Sequence, residues 1–278
     1  MGVVGILHPG AMGVSVAASA INSGHRVIWA SENRSQATRQ RAAQYNLTDV
    51  ETLAELCVQS EIILSICPPH AAEECAHQVI AQNFRGIYCD ANAISPERAR
   101  RIGDMLRAAA IDFVDGGIIG GPAWTRGETW LYLSGERARA LADCFAQGHL
   151  ETKIIGTEIG TASALKMCYA AYTKGTTALL CAILGASEQL GVRAELYAQW
   201  TRDDANFVCQ TERRARNVTQ KAWRFEGEMR EIAATFASVG MPGEFHLAAA
   251  EIYRRLAPLK SANDMLALED VLQSLTRE

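Results

Sequence analysis

The chain has 278 residues, of which 49% are hydrophobic and 21% are charged, and its formal net charge is −4. This composition is typical of a globular protein long enough for two domains. Because the basic residues are scattered rather than massed in one segment, the sequence argues against a nucleic-acid-binding surface.

The eight cysteines do not indicate a disulfide framework, which is typical of much shorter secreted chains. They lie in apolar stretches such as IILSICPP and LLCAIL, and we expect most of them to be buried and reduced. The sequence opens without a leader-like pattern, and no stretch is apolar enough for a bilayer span. We therefore expect a cytoplasmic protein with no membrane partner.

Residues 1–157 alternate short apolar runs with amphipathic stretches. The runs predict seven strands: Val3–Leu7, Val27–Ala30, Ile62–Ile66, Ile87–Asp90, Phe113–Asp115, Trp130–Leu133 and Lys153–Ile155. Helical patterns lie between the early runs, as in MGVSVAASAINSG, which Gly24 ends. This alternation predicts βαβ units, and so an α/β domain with a doubly wound, mostly parallel Rossmann sheet.

The pattern changes after residue 157. From Gly160 to about Leu190 the sequence predicts one long helix, whose apolar character implies burial on several sides. Residues 158–278 as a whole are helical in period and predict an all-α domain for substrate binding and dimerisation. A ligand site is expected between the two domains. The apolar helix suggests a homodimer, although burial within one chain explains it equally well.

The first predicted turn lies in VVGILHPGAMGVS. The dinucleotide fingerprint G-x-G-x-x-G places glycines at positions 8, 10 and 13, and here His8 replaces the first of them. Gly10 permits close approach to a pyrophosphate, and Gly13 permits close helix–strand packing. We predict that the whole turn binds the cofactor: His8, Pro9, Gly10, Ala11, Met12 and Gly13. A strand–helix turn without a ligand is the alternative.

The end of the second predicted strand, in HRVIWASENRSQ, is expected beside the adenosine ribose. An acidic residue there selects NAD through the 2′-hydroxyl, whereas an Arg accommodates the 2′-phosphate of NADP. Both residue types are present, as Glu32 and Arg34. The strand tip itself is Ser31, and Asn33 and Arg34 add donors and a positive charge. We therefore expect NADP, with NAD as the alternative. Ser31 or Asn33 could also cap the following helix.

Two further strand ends, in IILSICPPH and GIYCDANAISPE, are expected to border the same crevice. Cys67, Pro68 and Asn92 are therefore predicted to contact the cofactor, and Asn92 also the substrate. Alternatively, the second segment only starts a helix, with Ser95 as its N-cap and Pro96 at its first position.

Four possible metal ligands lie within eleven residues: Cys67, His70, Cys75 and His77. Zinc ligands usually occur as tightly spaced pairs, and this set does not form two of them. We therefore expect no metal here, and instead packed cysteines and partly exposed histidines.

The stretch VDGGIIGGPAW follows a predicted strand and could bring backbone N–H groups close to a small anion, or simply form an irregular turn. Lys166 lies on the long helix, where burial would lower the pKa of its amine and suit it to proton transfer. Lys174 is a second cation that could attract an anionic substrate, and Tyr169, between the two lysines, is also predicted to contact the substrate. On spacing alone, Lys166 could equally be a snorkelling or interface residue.

Five segments, in this order, resemble the β-hydroxyacid dehydrogenase superfamily, which includes 6-phosphogluconate and 3-hydroxyisobutyrate dehydrogenases: VGILHPGAMG, GHRVIWASENRS, DANAISP, VDGGIIGG and GTASALKMCYAAYTKGTTALL. The resemblance implies an NAD(P) cofactor and makes Lys166 the catalytic acid or base. Gly120 and Gly121 match the substrate-binding glycines. The C-terminal segment resembles a variant found in a 6-phosphogluconate dehydrogenase-like branch.

Three positions depart from the family pattern. Ala170 stands where a typical member has Asn, Ile119 where it has Ser, and Asn92 with Ala93 where it has a Ser-Thr pair. Lost polar contacts change substrate preference. We expect an NADP-dependent oxidoreductase of a small, anionic hydroxy acid or its keto or semialdehyde partner. The alternatives are an imine reductase and a non-catalytic NADPH sensor. His246 could reach the cleft from the helical domain.

Overall fold

The computed structural model describes residues 2–261 and 266–276. Residues 1–167 and 168–278 form two compact units, whereas the sequence placed the domain boundary after residue 157. The first unit is an α/β domain, and the described part of the second is helical, so the predicted fold class is confirmed.

The first unit contains one sheet of eight strands: β1 (Val3–Ile6), β2 (Arg26–Trp29), β3 (Thr48–Asp49), β4 (Ile62–Ser65), β5 (Ile87–Asp90), β6 (Asp112–Ile119), β7 (Trp130–Ser134) and β8 (Glu151–Gly156). Their order in the sheet is β3-β2-β1-β4-β5-β6-β7-β8. Only β6 and β7 pair antiparallel, and all other neighbours are parallel. The seven predicted strands are therefore present, and β3 is the strand that the sequence did not predict.

The strand β3 escaped prediction because its two residues, Thr48 and Asp49, are exposed and give no apolar run. The strand β6 is longer than the predicted Phe113–Asp115 and includes Gly116 and Gly117. These two glycines are thus part of the sheet, and the predicted glycine-rich loop is shorter than expected.

Seven helices accompany the sheet: α1 (Ala11–Asn22), α2 (Gln36–Gln44), α3 (Leu53–Gln59), α4 (Ala72–Ala81), α5 (Pro96–Ala108), α6 (Ala138–Asp143) and α7 (Thr161–Ala170). Alternate strand residues point to opposite faces, so that Leu64 joins one buried cluster and Ile63 the other. Both faces of the sheet are therefore covered, as expected for parallel strands.

The second unit continues with six helices: α8 (Thr176–Gln189), α9 (Arg193–Asp203), α10 (Phe207–Val218), α11 (Ala222–Ser238), α12 (Glu244–Leu256) and α13 (Leu268–Thr276). Its core includes Leu184 on α8, Met229 on α11, Tyr253 on α12 and Val271 on α13, all fully buried. Helices α11 and α12 pack against each other.

The predicted single helix from Gly160 to Leu190 is interrupted by a π-helical turn at Ala171–Gly175, between α7 and α8. Side chains bond the backbone carbonyls at this turn, namely those of Tyr169, Tyr172, Thr173 and Lys174. The donors include Arg214 of α10 and Tyr253 of α12. Such competition for helix carbonyls distorts a helix locally, and it accounts for the π-helical turn within the predicted long helix.

The same segment is less buried than its composition suggested. Tyr172 is 70% exposed, and Tyr169 and Leu179 are each 45% exposed. Apolar composition alone did not reveal which side of the helix packs inward. In the described ranges, no helix combines the length and apolar character that a bilayer crossing requires.

Candidate functional site

The candidate site lies at the carboxyl edge of the sheet, where β1 neighbours β4. From β1 the chain proceeds through α1 to β2 on one side, and from β4 it proceeds through α4 to β5 on the other. Strand order therefore reverses between β1 and β4, and the loops after them flank a crevice. Open α/β sheets bind ligands at this kind of position.

The β1–α1 turn separates the roles of its two glycines. A Cβ atom at Gly13 would lie 2.2 Å from the carbonyl oxygen of His8, so a larger residue does not fit there. A Cβ atom at Gly10 would meet no protein atom within 4 Å. Gly10 is also the N-cap of α1, and it makes no side-chain capping hydrogen bond to this helix. Gly13 thus serves packing, and Gly10 leaves open space beside the free N–H groups of a helix start.

His8 is half-buried in this turn, and its imidazole Nδ1 is buried without a hydrogen-bond partner among the described residues. Burial, with a smaller contribution from the positive charge of Arg34, lowers the pKa of His8 to about 4. The imidazole is therefore neutral near pH 7. It offers a lone pair or an N–H group to a ligand, but no positive charge.

The segment after β2 forms a turn in which the backbone N–H of Arg34 donates to the carbonyl of Ser31. Ser31 is buried, and its backbone N–H donates to the carboxylate of Asp49 at 3.2 Å. The expectation that Ser31 or Asn33 caps the next helix was wrong, because Ser35 is the N-cap of α2 and accepts from the N–H of Thr38.

A cavity of about 340 Å³ opens beside this turn, and its lining includes Ala30, Glu32, Asn33 and Arg34. The Nε atom of Arg34 is buried and has no partner within the described parts of the chain. Arg39 of α2, which was not predicted as a site residue, donates to the carbonyls of Ser31 and Arg34. An acidic and a basic side chain thus both line the cavity where β2 ends, and 2′-phosphate binding there stays a prediction.

Asn92 is 3% exposed and bonds within the protein. Its Oδ1 accepts from the backbone N–H of Cys67 at 2.5 Å, and its Nδ2 donates to Ser65 and to Asp90. The side chain therefore ties the ends of β4 and β5 together and orients the Cys67–Pro68 loop. Its predicted direct contact with a ligand remains a prediction. Ser95 does cap α5, with Pro96 at the first helical position.

Lys166 of α7 reaches the end of β6, where its Nζ donates to the carbonyl of Ile118 at 2.5 Å. A glycine is needed opposite, because a Cβ atom at Gly117 would lie 2.7 Å from the carbonyl of Ala162 and 3.1 Å from the Cβ of Lys166. The glycines inside β6 thus let α7 approach the strand. The Lys166 side chain is half-buried and not fully enclosed by the protein.

The loop after β6 contains Gly120 and Gly121, both exposed. Gly120 has a φ of +127°, which disfavours other residues, and a Cβ atom at Gly121 would meet no protein atom within 4 Å. The same loop is tied to α1, since the N–H of Ala123 donates to the Oγ of Ser15 at 2.8 Å. The structure therefore brings this loop beside the first turns of α1.

Asp115 of β6 anchors the start of α7, and the sequence analysis did not identify it. Its carboxylate accepts from the N–H groups of Gly160 and Ser163 and from the hydroxyls of Ser134 and Ser163. Burial raises the pKa of the Asp115 carboxyl, and the hydrogen bonds from Ser163, Ser134 and Gly160 oppose that rise. The only sequence signal was an acidic residue inside an apolar run.

The second unit uses two candidate residues internally. The Nζ of Lys174 lies 2.7 Å from a carboxylate oxygen of Glu228, and the side chains are 14% and 11% exposed. Its ammonium also lies 4.8 Å from the centre of the Phe225 ring. His246 is 5% exposed and packs against Phe236 and Phe245. Lys174 is therefore an ion-pair partner rather than an unpaired cation. Burial lowers the pKa of the His246 imidazole.

The first unit matches a family model described as the NAD binding domain of 6-phosphogluconate dehydrogenase over residues 1–144, which is more than half of the 278-residue chain. The chain belongs to this family. A second model, a domain of unknown function named DUF1932, matches residues 187–256 of the helical unit. The predicted resemblance to the 6-phosphogluconate dehydrogenase-like superfamily is thereby confirmed.

A curated relative from Methanothermus fervidus, an uncharacterized 28.5 kDa protein in the 7S RNA 5′ region, is 28% identical over 165 residues. The match covers 59% of this chain and 63% of the relative, less than two thirds of its length. The conserved protein MTH1747, of unknown function and structurally similar to 3-hydroxyacid dehydrogenases, is 26% identical, with a TM-score of 0.67 over 93% of this chain and 98% of that one.

Two further solved structures share the fold at lower identity. A Mycobacterium tuberculosis 3-hydroxyisobutyrate dehydrogenase with L-serine is 18% identical, with a TM-score of 0.70 and full coverage of both chains. An imine reductase variant from Myxococcus stipitatus, in complex with NAD+, is 17% identical, with a TM-score of 0.57 over 99% of each chain. The hydroxyacid dehydrogenase fold is therefore established for this chain.

Proposed function

We propose that this protein is an NADP(H)-dependent oxidoreductase that transfers a hydride between nicotinamide and a small hydroxy acid or its keto or semialdehyde partner. The observation that carries the proposal is the position of Lys166. Its amine is held at the carboxyl end of β6, at the same edge of the sheet as the β1–α1 turn. A proton-transfer group and a dinucleotide turn therefore share one edge of one unit.

The turn and the cavity fit a dinucleotide. Gly10 leaves the open space that a pyrophosphate needs at the start of α1, with Ala11 and Met12 supplying the first helical N–H groups. The unpartnered Nε of Arg34 beside the 340 Å³ cavity supports a 2′-phosphate, and hence NADP over NAD. Cys67 and Pro68 would border the nicotinamide end, with Asn92 orienting their backbone.

Lys166 acts as the general acid and base. A bound nicotinamide would supply the hydride acceptor or donor. In oxidation, the neutral Lys166 amine would accept the proton from the substrate hydroxyl oxygen, and the carbon that bears this oxygen would become the carbonyl carbon as it gives up its hydride. In reduction, the ammonium returns that proton to the carbonyl oxygen. The bond to the Ile118 carbonyl keeps Nζ at the strand end throughout.

The substrate is a small organic anion bound by backbone groups of Gly120 and Gly121, both exposed in the loop that Ala123 ties to α1. Lys174 contributes no free charge to this site because Glu228 pairs with it. Imine reduction is the second candidate. It is favoured by Ile119, a half-buried apolar residue at the end of β6 where the family has a serine, since an imine needs no hydroxyl clamp.

The proposal is tested with a panel of hydroxy acids, aldehydes and cyclic imines, assayed with NADP(H). We expect Lys166→Ala to lower kcat by about 10²–10⁴-fold, the usual contribution of a general acid or base. NADPH affinity, followed by nicotinamide fluorescence, should change little. Lys153→Ala removes an exposed lysine of β8 and serves as the matched control. Full activity in Lys166→Ala would exclude the proposed role, and NADPH binding without any turnover in the wild type would favour the sensor.

Cofactor choice is tested at Arg34. We expect Arg34→Ala to weaken NADPH binding by about tenfold or more while NADH binding changes little, because one charge-assisted contact to a phosphate is lost. Arg26→Ala, an exposed arginine at the start of β2, is the charge-matched control. Equal losses for the two nucleotides would contradict 2′-phosphate recognition.

A further inference from the structure

Three metal-ligating side chains meet beside the β1–α1 turn. His8 follows β1, Cys67 follows β4, and Cys75 lies on α4. Their ligand atoms all lie within 4.8 Å of one another, and the two sulfur atoms are 3.9 Å apart. The reversal of strand order between β1 and β4 brings them together, although His8 is distant from both cysteines in sequence.

We propose that His8, Cys67 and Cys75 form a binding site for a thiophilic divalent cation, namely Zn²⁺. The sulfur separation suits this ion, because tetrahedral Zn–S bonds of about 2.3 Å place two thiolate sulfurs about 3.8 Å apart. A nitrogen bound to zinc at about 2.0–2.1 Å would lie about 3.5 Å from each sulfur, so an imidazole within 4.8 Å of the sulfurs would have to approach them by up to about 1.3 Å. Three protein ligands leave the fourth position for water or another ligand.

The surroundings of the cluster also favour a cation. The Nδ1 atom of His8 is buried without a partner among the described residues, so a ligand bound there would satisfy it. Cys75 is 6% exposed and Cys67 is half-buried, so the cluster is largely shielded from solvent.

This cluster differs from the four-residue set rejected at the sequence level. His70 and His77 are exposed and are not part of it, and His8 takes their place. Ligand spacing along the chain cannot reveal a histidine that only the sheet topology brings near. The proposed metal site shares His8 and Cys67 with the predicted cofactor crevice, so its test uses protein without nucleotide.

The test is a Co²⁺ titration of the full-length, reduced, chelator-treated protein without nucleotide. We expect one Co²⁺ per chain, a thiolate-to-metal charge-transfer absorption in the near ultraviolet, strong visible bands of tetrahedral Co²⁺, and loss of all three on adding Zn²⁺. Cys67→Ser and Cys75→Ser should each remove about half of the charge-transfer intensity. We expect each to weaken Zn²⁺ binding by at least the 10–100-fold typical of changes around a metal site.

Cys168→Ser and His77→Gln change exposed residues outside the cluster and should bind metal like the wild type. His8→Gln should retain the sulfur absorption but weaken Zn²⁺ binding. Weak octahedral Co²⁺ spectra, or unchanged spectra in both Cys67→Ser and Cys75→Ser, would overturn the proposal. If Cys75→Ser does not fold, the half-buried Cys67 carries the test through Cys67→Ser. Either result leaves the NADPH and Lys166 experiments unaffected.

Discussion

Polar groups cluster both at the carboxyl edge of the sheet and at the π-helical turn of the second unit, but the two regions differ in whether these groups have hydrogen-bond or ion-pair partners. At the sheet edge, His8 Nδ1 and Arg34 Nε are buried without partners among the described residues, and Gly10 faces open space. At the π-helical turn, Lys174 is paired with Glu228, and Arg214 and Tyr253 bond the carbonyls that the turn releases.

This difference indicates which region is built for a ligand. A buried polar group without a partner costs free energy, so a folded protein keeps one mainly where a ligand or water completes it. Residue type alone is a poorer guide, because Lys174 looked like a substrate-binding cation in the sequence and is an ion-pair partner in the structure. The sheet edge leaves His8 and Arg34 without partners, whereas at the π-helical turn the buried charge of Lys174 and the released carbonyls are paired. The Nδ1 atom of His246, beside Gly175 of that turn, has no partner among the described residues.

The largest expected effect comes from removing the Lys174–Glu228 ion pair at the π-helical turn. Lys174→Met should lower the free energy of unfolding by about 3–5 kcal/mol, because it leaves the carboxylate of Glu228 buried and unpaired. Glu228→Gln should have a similar effect, and the double variant should recover part of the loss. The measurement is urea unfolding followed by circular dichroism.

Lys153→Met, on an exposed lysine, is the control for that experiment and should change the free energy of unfolding little. Losses below about 1 kcal/mol in both single variants would mean that solvent screens the pair as it does a surface ion pair. The contrast between the two regions would then fail, and Lys174 would again be available to an anion.

The sequence predicted the sheet edge well for a physical reason. Strand ends and helix starts are local features, so VVGILHPGAMG predicted a helix start at Ala11 or Met12, and α1 begins at Ala11. Anion binding by the turn before it stays a prediction. The π-helical turn could not be predicted in the same way. It depends on Arg214 and Tyr253, which reach it from other helices. Asp115 and the His8–Cys67–Cys75 cluster were missed for the same reason, since their partners come from distant segments.

A smaller effect distinguishes the packing role of Gly13 from the proposed ligand-binding role of Gly10 in the β1–α1 turn. Gly13→Ala should lower the free energy of unfolding by about 1–3 kcal/mol, because the new methyl group would lie 2.2 Å from the His8 carbonyl and force the backbone to move. Gly10→Ala should change it by no more than about 0.5 kcal/mol, since nothing lies within 4 Å.

The matched readout for these two variants is NADPH affinity. Gly10→Ala should weaken NADPH binding although the fold is intact, because its methyl group would occupy the space assigned to the pyrophosphate. Unchanged affinity in a stable Gly10→Ala variant would mean that the cofactor does not approach the turn closely. That result would count against a dinucleotide turn and would leave only the packing role of Gly13.

The last effect is a pH dependence, and it concerns a buried carboxyl group at the sheet edge that accepts hydrogen bonds. Asp90 is 1% exposed, and burial raises its pKa to about 7 despite the bonds from the backbone and side chain of Asn92. The native protein therefore keeps a proton on Asp90 between about pH 4 and pH 7, where the unfolded chain has released it. Stability from this group is present at low pH and is lost as the pH rises through that window.

Asp90→Asn should remove this contribution, which amounts to a slope of at most about 1.4 kcal/mol per pH unit in the free energy of unfolding. The measurement is urea unfolding of both proteins at several pH values from 4 to 8, comparing slopes rather than absolute stabilities. Asp143→Asn, on an exposed carboxylate of α6, is the control and should follow the wild type. Identical slopes in Asp90→Asn and the wild type would mean that the donors of Asn92 compensate the buried charge. Hydrogen bonds alone would then stabilise the buried Asp90 carboxylate, as the ion pair with Glu228 stabilises Lys174 at the π-helical turn.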